Sequence, residues 1–225
     1  GEALKSFERT LTSASGEKRV FLTTKTPLKD AEDVIVGVLT SALDITDRKR
    51  AEEHLLHAAR HDGLTNLPNR TFLHDRLRRE VARARRGDRS FALHFIDIDE
   101  FKSINDLMGQ EAGDVFLQEI ASRLQELAGE EDMVARLGAD EFALLQALGP
   151  DTTTASDMAQ RVLDVVGFPV RIAEREAACS ASVGATIYPT DGTEVMQLLR
   201  NADLAGELGD APRRIDGSGQ TRIAQ

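Results

Sequence analysis

The chain has 225 residues, which suits one large domain or one domain plus part of another, and 41% of them are hydrophobic, enough for a sizeable core. With no Trp and one Tyr, that core must be mostly aliphatic. A formal net charge of −10 argues against a general binder of nucleic acid or of anionic membranes, and the single cysteine, Cys179, excludes an internal disulfide and a cysteine metal cluster.

No apolar run approaches the roughly 20 residues needed to span a bilayer, and no signal peptide is visible. The expectation is a cytoplasmic segment with no membrane contact of its own, and membrane helices upstream are left open. The opening "GEALKSFERT" reads as a start inside a longer protein. From Arg19 to Thr46 the pattern is β: "RVFLTTKTPL" alternates, "DVIVGVLTSALDIT" is a β-branched run, and "KDAEDV" between them is a hairpin connection. Two or three such strands alone make a poor core, so they read as the end of a larger module.

"ITDRKRAEEHLLHAARH" predicts a helix, capped by Thr46 or Asp47, with Ala51, Leu55 and Ala58 on one face. A helical linker explains it better than a coiled coil, because only one heptad of apolar seam is present. "DGLTNLPNR", Asp62 to Arg70, is turn chemistry. A helix comes next with Leu73, Leu77, Val81 and Ala84 on one stripe, and its many arginines read as a solvated face.

"SFALHFIDIDEF" is a nearly continuous apolar run ending in acids, the pattern of a central strand. "GDVFLQEIASRLQELAG" is an amphipathic helix, and "MVARLGADEFALLQAL" is two strands around a short turn. "TASDMAQRVLDVVG" is helix, "VRIAEREAACSASVGATIYP" two more strands holding a buried Cys179, and "EVMQLLRNADLAGEL" a last helix. From about residue 61 the order is α β α β β α β β α. The fold class is α+β, with helices covering a mainly antiparallel sheet.

Asp97 and Asp99 share a face at the end of "HFIDIDEF", because side chains alternate along a strand. Asp140 and Glu141 begin the returning strand of the "GADE" hairpin. If that hairpin pairs beside the Asp97 strand, acids from both elements converge. Converging carboxylates repel unless a cation lies between them, and hard oxygen donors suit Mg²⁺. The same residues also fit a strand end and an exposed hairpin tip. Residues just downstream favour a site: "FKSIND" adds the cation Lys102 and the amide Asn105, and "GQEAGD" adds two glycines and Asp114. That set can serve a nucleotide with Mg²⁺.

"DGLTNLPNR", "FIDIDEFKSINDLMGQEAGD", "RLGADEF" and "SVGATIYPTDG…LLRNADLA" occur in one order and resemble the GGDEF domain of diguanylate cyclases. The stretch ending in "DITDRKRAEE" resembles the C-terminal part of a PAS sensor domain and its exit helix. The expected organisation is a partial PAS β-segment over 1–46, a linker helix over 47–60 and a GGDEF domain over 61–225. The resemblance implies a nucleotide-cyclase or polymerase-palm-like sheet. It implies that two GTP molecules, one in each domain of a homodimer, are joined into cyclic di-GMP with release of two pyrophosphates, under control of the PAS segment.

By the same resemblance, Asp97 and Asp140 are metal-binding carboxylates and Ile98 lends its backbone carbonyl, to Mg²⁺ or Mn²⁺. Lys102 contacts phosphate, Asn105 and Asp114 read guanine, and Glu141 is the second acid of the signature. Asp140 is the candidate proton acceptor. Gly138 and Ala139 lie against the nucleotide.

Three positions depart from the family pattern. Ala139 replaces the signature's second glycine. A type I′ turn would make this cost roughly 1–2 kcal/mol, whereas a type II′ turn would need left-handed backbone only at Gly138. Asp210 stands where a phosphate-binding Lys is usual, with Arg214 in partial compensation. Gly129 stands where the product-inhibition Arg would be, three residues before Asp132, so feedback through that site is not expected. These changes leave two further readings: a degenerate domain that binds GTP or a protein partner without turnover, and a dimerising scaffold.

Overall fold

The computed structural model describes residues 5–87, 89–149 and 153–207. The chain forms two compact units, Gly1–Ala59 and Arg60–Gln225. In the first, strands β1 (Lys5–Thr12), β2 (Lys18–Lys29) and β3 (Ile35–Asp44) make an antiparallel sheet in that order, followed by helix α1 (Thr46–Ala58). Strand β1 is not expected from the sequence; it pairs along β2 from Lys5↔Lys25 to Thr12↔Lys18.

Thr46 does not cap α1 in the expected way. It lies inside the helix, and Ile45 holds the cap position without a side-chain cap bond. The Thr46 hydroxyl instead accepts the Val20 N–H (2.9 Å) and donates to Asp44 Oδ1 (2.5 Å), which also accepts the Thr46 N–H (2.9 Å). Those bonds hold the Asp44 carboxyl below the usual carboxylate range and tie the helix start to the sheet. Ile35, Val36, Val38, Leu43, Leu55 and Leu56 remain more than half exposed, as expected of a sheet with few layers to pack against.

The second unit carries a four-stranded antiparallel sheet in the order β5 (Met133–Arg136), β6 (Glu141–Leu148), β4 (Ser90–Ile98), β9 (Ala181–Tyr188). The apolar run of β4 is central, as its sequence predicts, and it is buried from Phe91 to Ile96. One face packs against α4 (Gln110–Leu127) and α5 (Thr154–Gly167), where Ile96, Phe142 and Leu144 meet Phe116, Ile120, Leu124 and Val162. The other face packs against α2 (Arg70–Gly87) and α6 (Val195–Glu207), where Phe91, Leu93 and Phe95 meet Leu73, Leu77, Val81 and Leu198.

Two elements of the second unit are not legible in the sequence. Helix α3 (Phe101–Met108) interrupts what reads as a loop after the β4 acids, and the expected pair of strands after α5 is three: β7 (Val170–Ile172), β8 (Arg175–Ala177) and β9. Cys179 falls between β8 and β9, half-buried, rather than inside a strand. Among the described residues no helix is long and apolar enough to cross a membrane.

Beyond the apolar packing, one side chain of α4 ties down the C-terminal end of α5. Arg123 donates to the carbonyls of Val165 (3.1 Å), Phe168 (2.6 Å) and Pro169 (3.0 Å), which lie where α5 runs out of intrahelical donors. Replacing Arg123 with Ala strands those carbonyls and is expected to cost about 2 kcal/mol. The check is a lower denaturant midpoint monitored by helical circular dichroism.

Candidate active site

The site lies where β4 ends beside the start of β6. The ladder runs from Ser90↔Leu148 to Asp97↔Glu141, and the Ile98 N–H donates to the Asp140 carbonyl (3.2 Å). Asp97 and Glu141 are therefore direct cross-strand partners on one face of the sheet, a placement that destabilises like charges. Partial burial pushes the Asp97 carboxyl up, and the negative charges of Asp140, Glu141 and Asp99 push it further. Asp99 is engaged elsewhere, accepting the hydroxyls of Ser180 (2.5 Å) and Ser182 (2.9 Å).

After Asp99 the chain must turn sharply into α3. Glu100 makes that turn in the left-handed region, at φ 52°, a conformation that costs a non-glycine residue roughly 1 kcal/mol. Phe101 is buried against Phe116, with ring centroids 6.3 Å apart, and anchors the short helix. Lys102, next along, is exposed and forms no ion pair among the described residues. Asn105 lies one turn further on, half-buried.

Gly109, at φ 91°, links α3 to α4 and needs the conformational freedom of glycine. Gly113 then faces Asn105: a Cβ on Gly113 would lie 2.0 Å from Asn105 Oδ1 and 3.1 Å from the Phe101 ring. The absent side chain lets the Asn105 amide lie against α4, one residue from exposed Asp114.

The hairpin corrects the turn expectation at Ala139. Neither Gly138 nor Ala139 has a positive φ, so the connection is neither type I′ nor type II′. Residues 137–140 form a four-residue loop between β5 and β6, closed by the Leu137 N–H on the Glu141 carbonyl (2.8 Å). Loops of that length are built on unprimed turns, so the backbone there is open to alanine and the extra methyl is solvent-exposed. A Cβ on Gly138 would lie 2.8 Å from Glu141 Oε2, so a side chain there would displace that carboxylate.

Sequence reasoning missed the residues that brace this hairpin. Arg136 donates to Asp62 Oδ1 (2.8 Å) and to the Ala139 carbonyl (2.8 Å). Asp62 also accepts the Thr65 N–H and hydroxyl, at 2.8 and 2.7 Å. Burial pushes the Asp62 carboxyl up, but the bonds from Thr65 and Arg136 outweigh it and leave it below the ordinary range. Arg70 pairs with Glu141 at 2.9 Å. No spacing in the sequence links Asp62 and Arg70 to the hairpin that Arg136 leads into; only the tertiary fold brings them there.

Asp132 ties its own loop to the end of β6. Its two oxygens accept the N–H groups of Gly129 and Ala147, both at 2.9 Å. Asp210 and Arg214 lie outside the described residues.

A family model described as "Diguanylate cyclase, GGDEF domain" matches residues 59–208, and a PAS-fold model matches residues 1–50. The chain belongs to the GGDEF domain family. Among its relatives, the bifunctional diguanylate cyclase/cyclic di-GMP phosphodiesterase MucR of Pseudomonas aeruginosa is 41% identical over 179 residues, covering 76% of this chain and 26% of that protein. The diguanylate cyclase TpbB of the same organism is 37% identical over 172 residues, covering 76% of this chain and 39% of TpbB. This chain thus spans well under half of each. A sensory box/GGDEF family protein of Caulobacter crescentus superposes with a TM-score of 0.64 at 39% identity, covering 67% of this chain and 97% of that one. A GGDEF domain preceded by a partial PAS fold is what these matches describe.

The acids fit a hard divalent cation. Among the described residues no group of three or more His, Cys, Asp or Glu closes around a metal position, which argues against an all-protein cage. Mg²⁺ is held by one or two carboxylates plus substrate phosphates, and the charges acting on Asp97 are all negative. A raised carboxyl pKa means the folded state holds its proton more tightly, so stability falls as pH rises through the titration and ionised Asp97 is a cost at neutral pH. In EDTA at neutral pH, Asp97→Asn is expected to raise the melting temperature by about 1–4 °C. Added Mg²⁺ should narrow the gap by stabilising the wild type alone; equal melting in EDTA would show that Asp97 bears no such cost.

Proposed function

We propose that this chain is a diguanylate cyclase domain, controlled by its PAS-fold segment through α1, that condenses two GTP into cyclic di-GMP and two pyrophosphates as a homodimer. The supporting observation is the β4–β6 register, which sets Asp97 opposite Glu141 with Asp140 bonded through its carbonyl to Ile98. A bound Mg²⁺ or Mn²⁺ would lower the pKa of the attacking 3′-hydroxyl and absorb charge on the α-phosphate.

In this reading Asp97, the Ile98 carbonyl and Asp140 hold the cation, and Glu141 adds a second acid beside it. Lys102 meets the triphosphate, and its lack of an ion pair among the described residues leaves its charge available. Asn105 and Asp114 read the base: a carboxylate accepts from guanine N1–H and N2–H₂, which adenine does not present as donors. Asp140 is the proton acceptor for the 3′-hydroxyl. One domain holds one GTP, so closing the ring needs a second domain supplying the other.

Incubation with GTP and Mg²⁺ should yield cyclic di-GMP on chromatography. GTP binding without product at high protein concentration would replace this reading with a non-catalytic GTP-binding domain. Because position 139 needs no left-handed backbone, Ala139→Gly should leave thermal stability nearly unchanged and raise turnover by relieving crowding; an equal or lower rate would clear the methyl as an obstacle.

A second variant probes base recognition. Alanine is the better helix former by about 1 kcal/mol, so Gly113→Ala should keep α4 folded while displacing the Asn105 amide. GTP affinity should fall about tenfold, as read by calorimetry. Undiminished affinity would separate Asn105 from guanine recognition.

A further inference from the structure

Glu141 is already engaged. Arg70 Nη2 lies 2.9 Å from its Oε2, and Arg70 Nε donates to the Leu137 carbonyl (3.4 Å). The backbone fixes where this guanidinium starts from. Asn69 accepts the Phe72 N–H (3.1 Å) and so holds the start of α2, where Arg70 is the first residue. The preceding turn is pinned in its own right: the Asp62 N–H donates to the Leu67 carbonyl (2.8 Å), and the Arg136 N–H to the Pro68 carbonyl (2.9 Å). Gly138 completes the arrangement, since a side chain there would collide with the carboxylate that Arg70 holds.

Two acids placed directly opposite on neighbouring strands need a compensating positive charge. Among the described residues the ion pair to these acids comes from Arg70, and it reaches only Glu141. Both partners of that pair stay solvent-accessible, and Arg70 lines an open pocket of about 430 Å³ with Asp62, Arg136, Gly138 and Ala139. An exposed pair of this kind is weak and so exchangeable.

We propose that Arg70 is a positioning residue that competes with the divalent cation for Glu141: it holds that carboxylate against the hairpin until a cation takes its place. The inference rests on the reading of Asp97, the Ile98 carbonyl and Asp140 as the cation site, with Glu141 as the second acid beside it. A salt bridge with a purely structural task would leave cation affinity alone, whereas a competing counter-ion weakens it.

The test is calorimetric titration of the nucleotide-free 225-residue chain with Mn²⁺. Arg70→Ala should bind Mn²⁺ about two- to fivefold more tightly than wild type, and Arg70→Lys should stay near wild type. In a Glu141→Gln background the Arg70→Ala effect should vanish, which a general loosening of the hairpin would not produce. Equal or weaker Mn²⁺ binding by Arg70→Ala, with Asp97→Asn still abolishing it, overturns the competition and leaves the cation site standing. If Asp97→Asn binds Mn²⁺ as well as wild type, the cation site itself fails and this inference with it.

Discussion

The antiparallel pairing of β4 with β6 is the constraint on which the rest of the site depends. Its register puts Asp97 across from Glu141 and bonds Ile98 to Asp140. A slip by one residue would exchange the two faces of either strand, and side chains fitted to different helix layers forbid it: Ile96, Phe142 and Leu144 pack on α4 and α5, Leu93 on α2 and α6. Hydrophobic burial thus forces three carboxylates into one small region, where electrostatics alone would keep them apart. Fold stability is spent on a local charge imbalance, as is common where a site awaits a cationic or polar ligand.

Around that imbalance the structure is braced. Arg136 reaches back to Asp62 and holds the hairpin against the turn that precedes α2. Because Arg136 also donates to the Ala139 carbonyl, the loop's shape is set by a side chain outside it rather than by glycine torsions. The same logic operates at the α3–α4 crossing, where a glycine's missing side chain, not its torsional freedom, makes room for Asn105. Precision of this kind needs support from residues that touch no ligand.

The departures from the family pattern then take on different weights. Ala139 imposes no backbone strain in a four-residue loop. Asp132 ties its own loop to β6, accepting from Gly129 and Ala147, so a reason for an acid there exists without any ligand. Its neighbour Gly129 donates its backbone N–H to that carboxylate.

By itself the sequence determined most strands and helices, because the continuous apolar run of β4 and the 3.6-residue stripes of α2 and α4 report burial directly. It also carried the order of the four motifs and, through them, the family. It could not show α3, since eight residues of mixed polarity after two acids read as loop until Phe101 is seen anchored on Phe116. Nor could it show β1, whose pairing with β2 is a non-local bond pattern. Only the tertiary structure decided that Arg70 lies on Glu141 and Arg136 on Asp62. These pairs join residues far apart in the chain, and contacts at that separation are fixed by strand order and register, which local pattern does not encode.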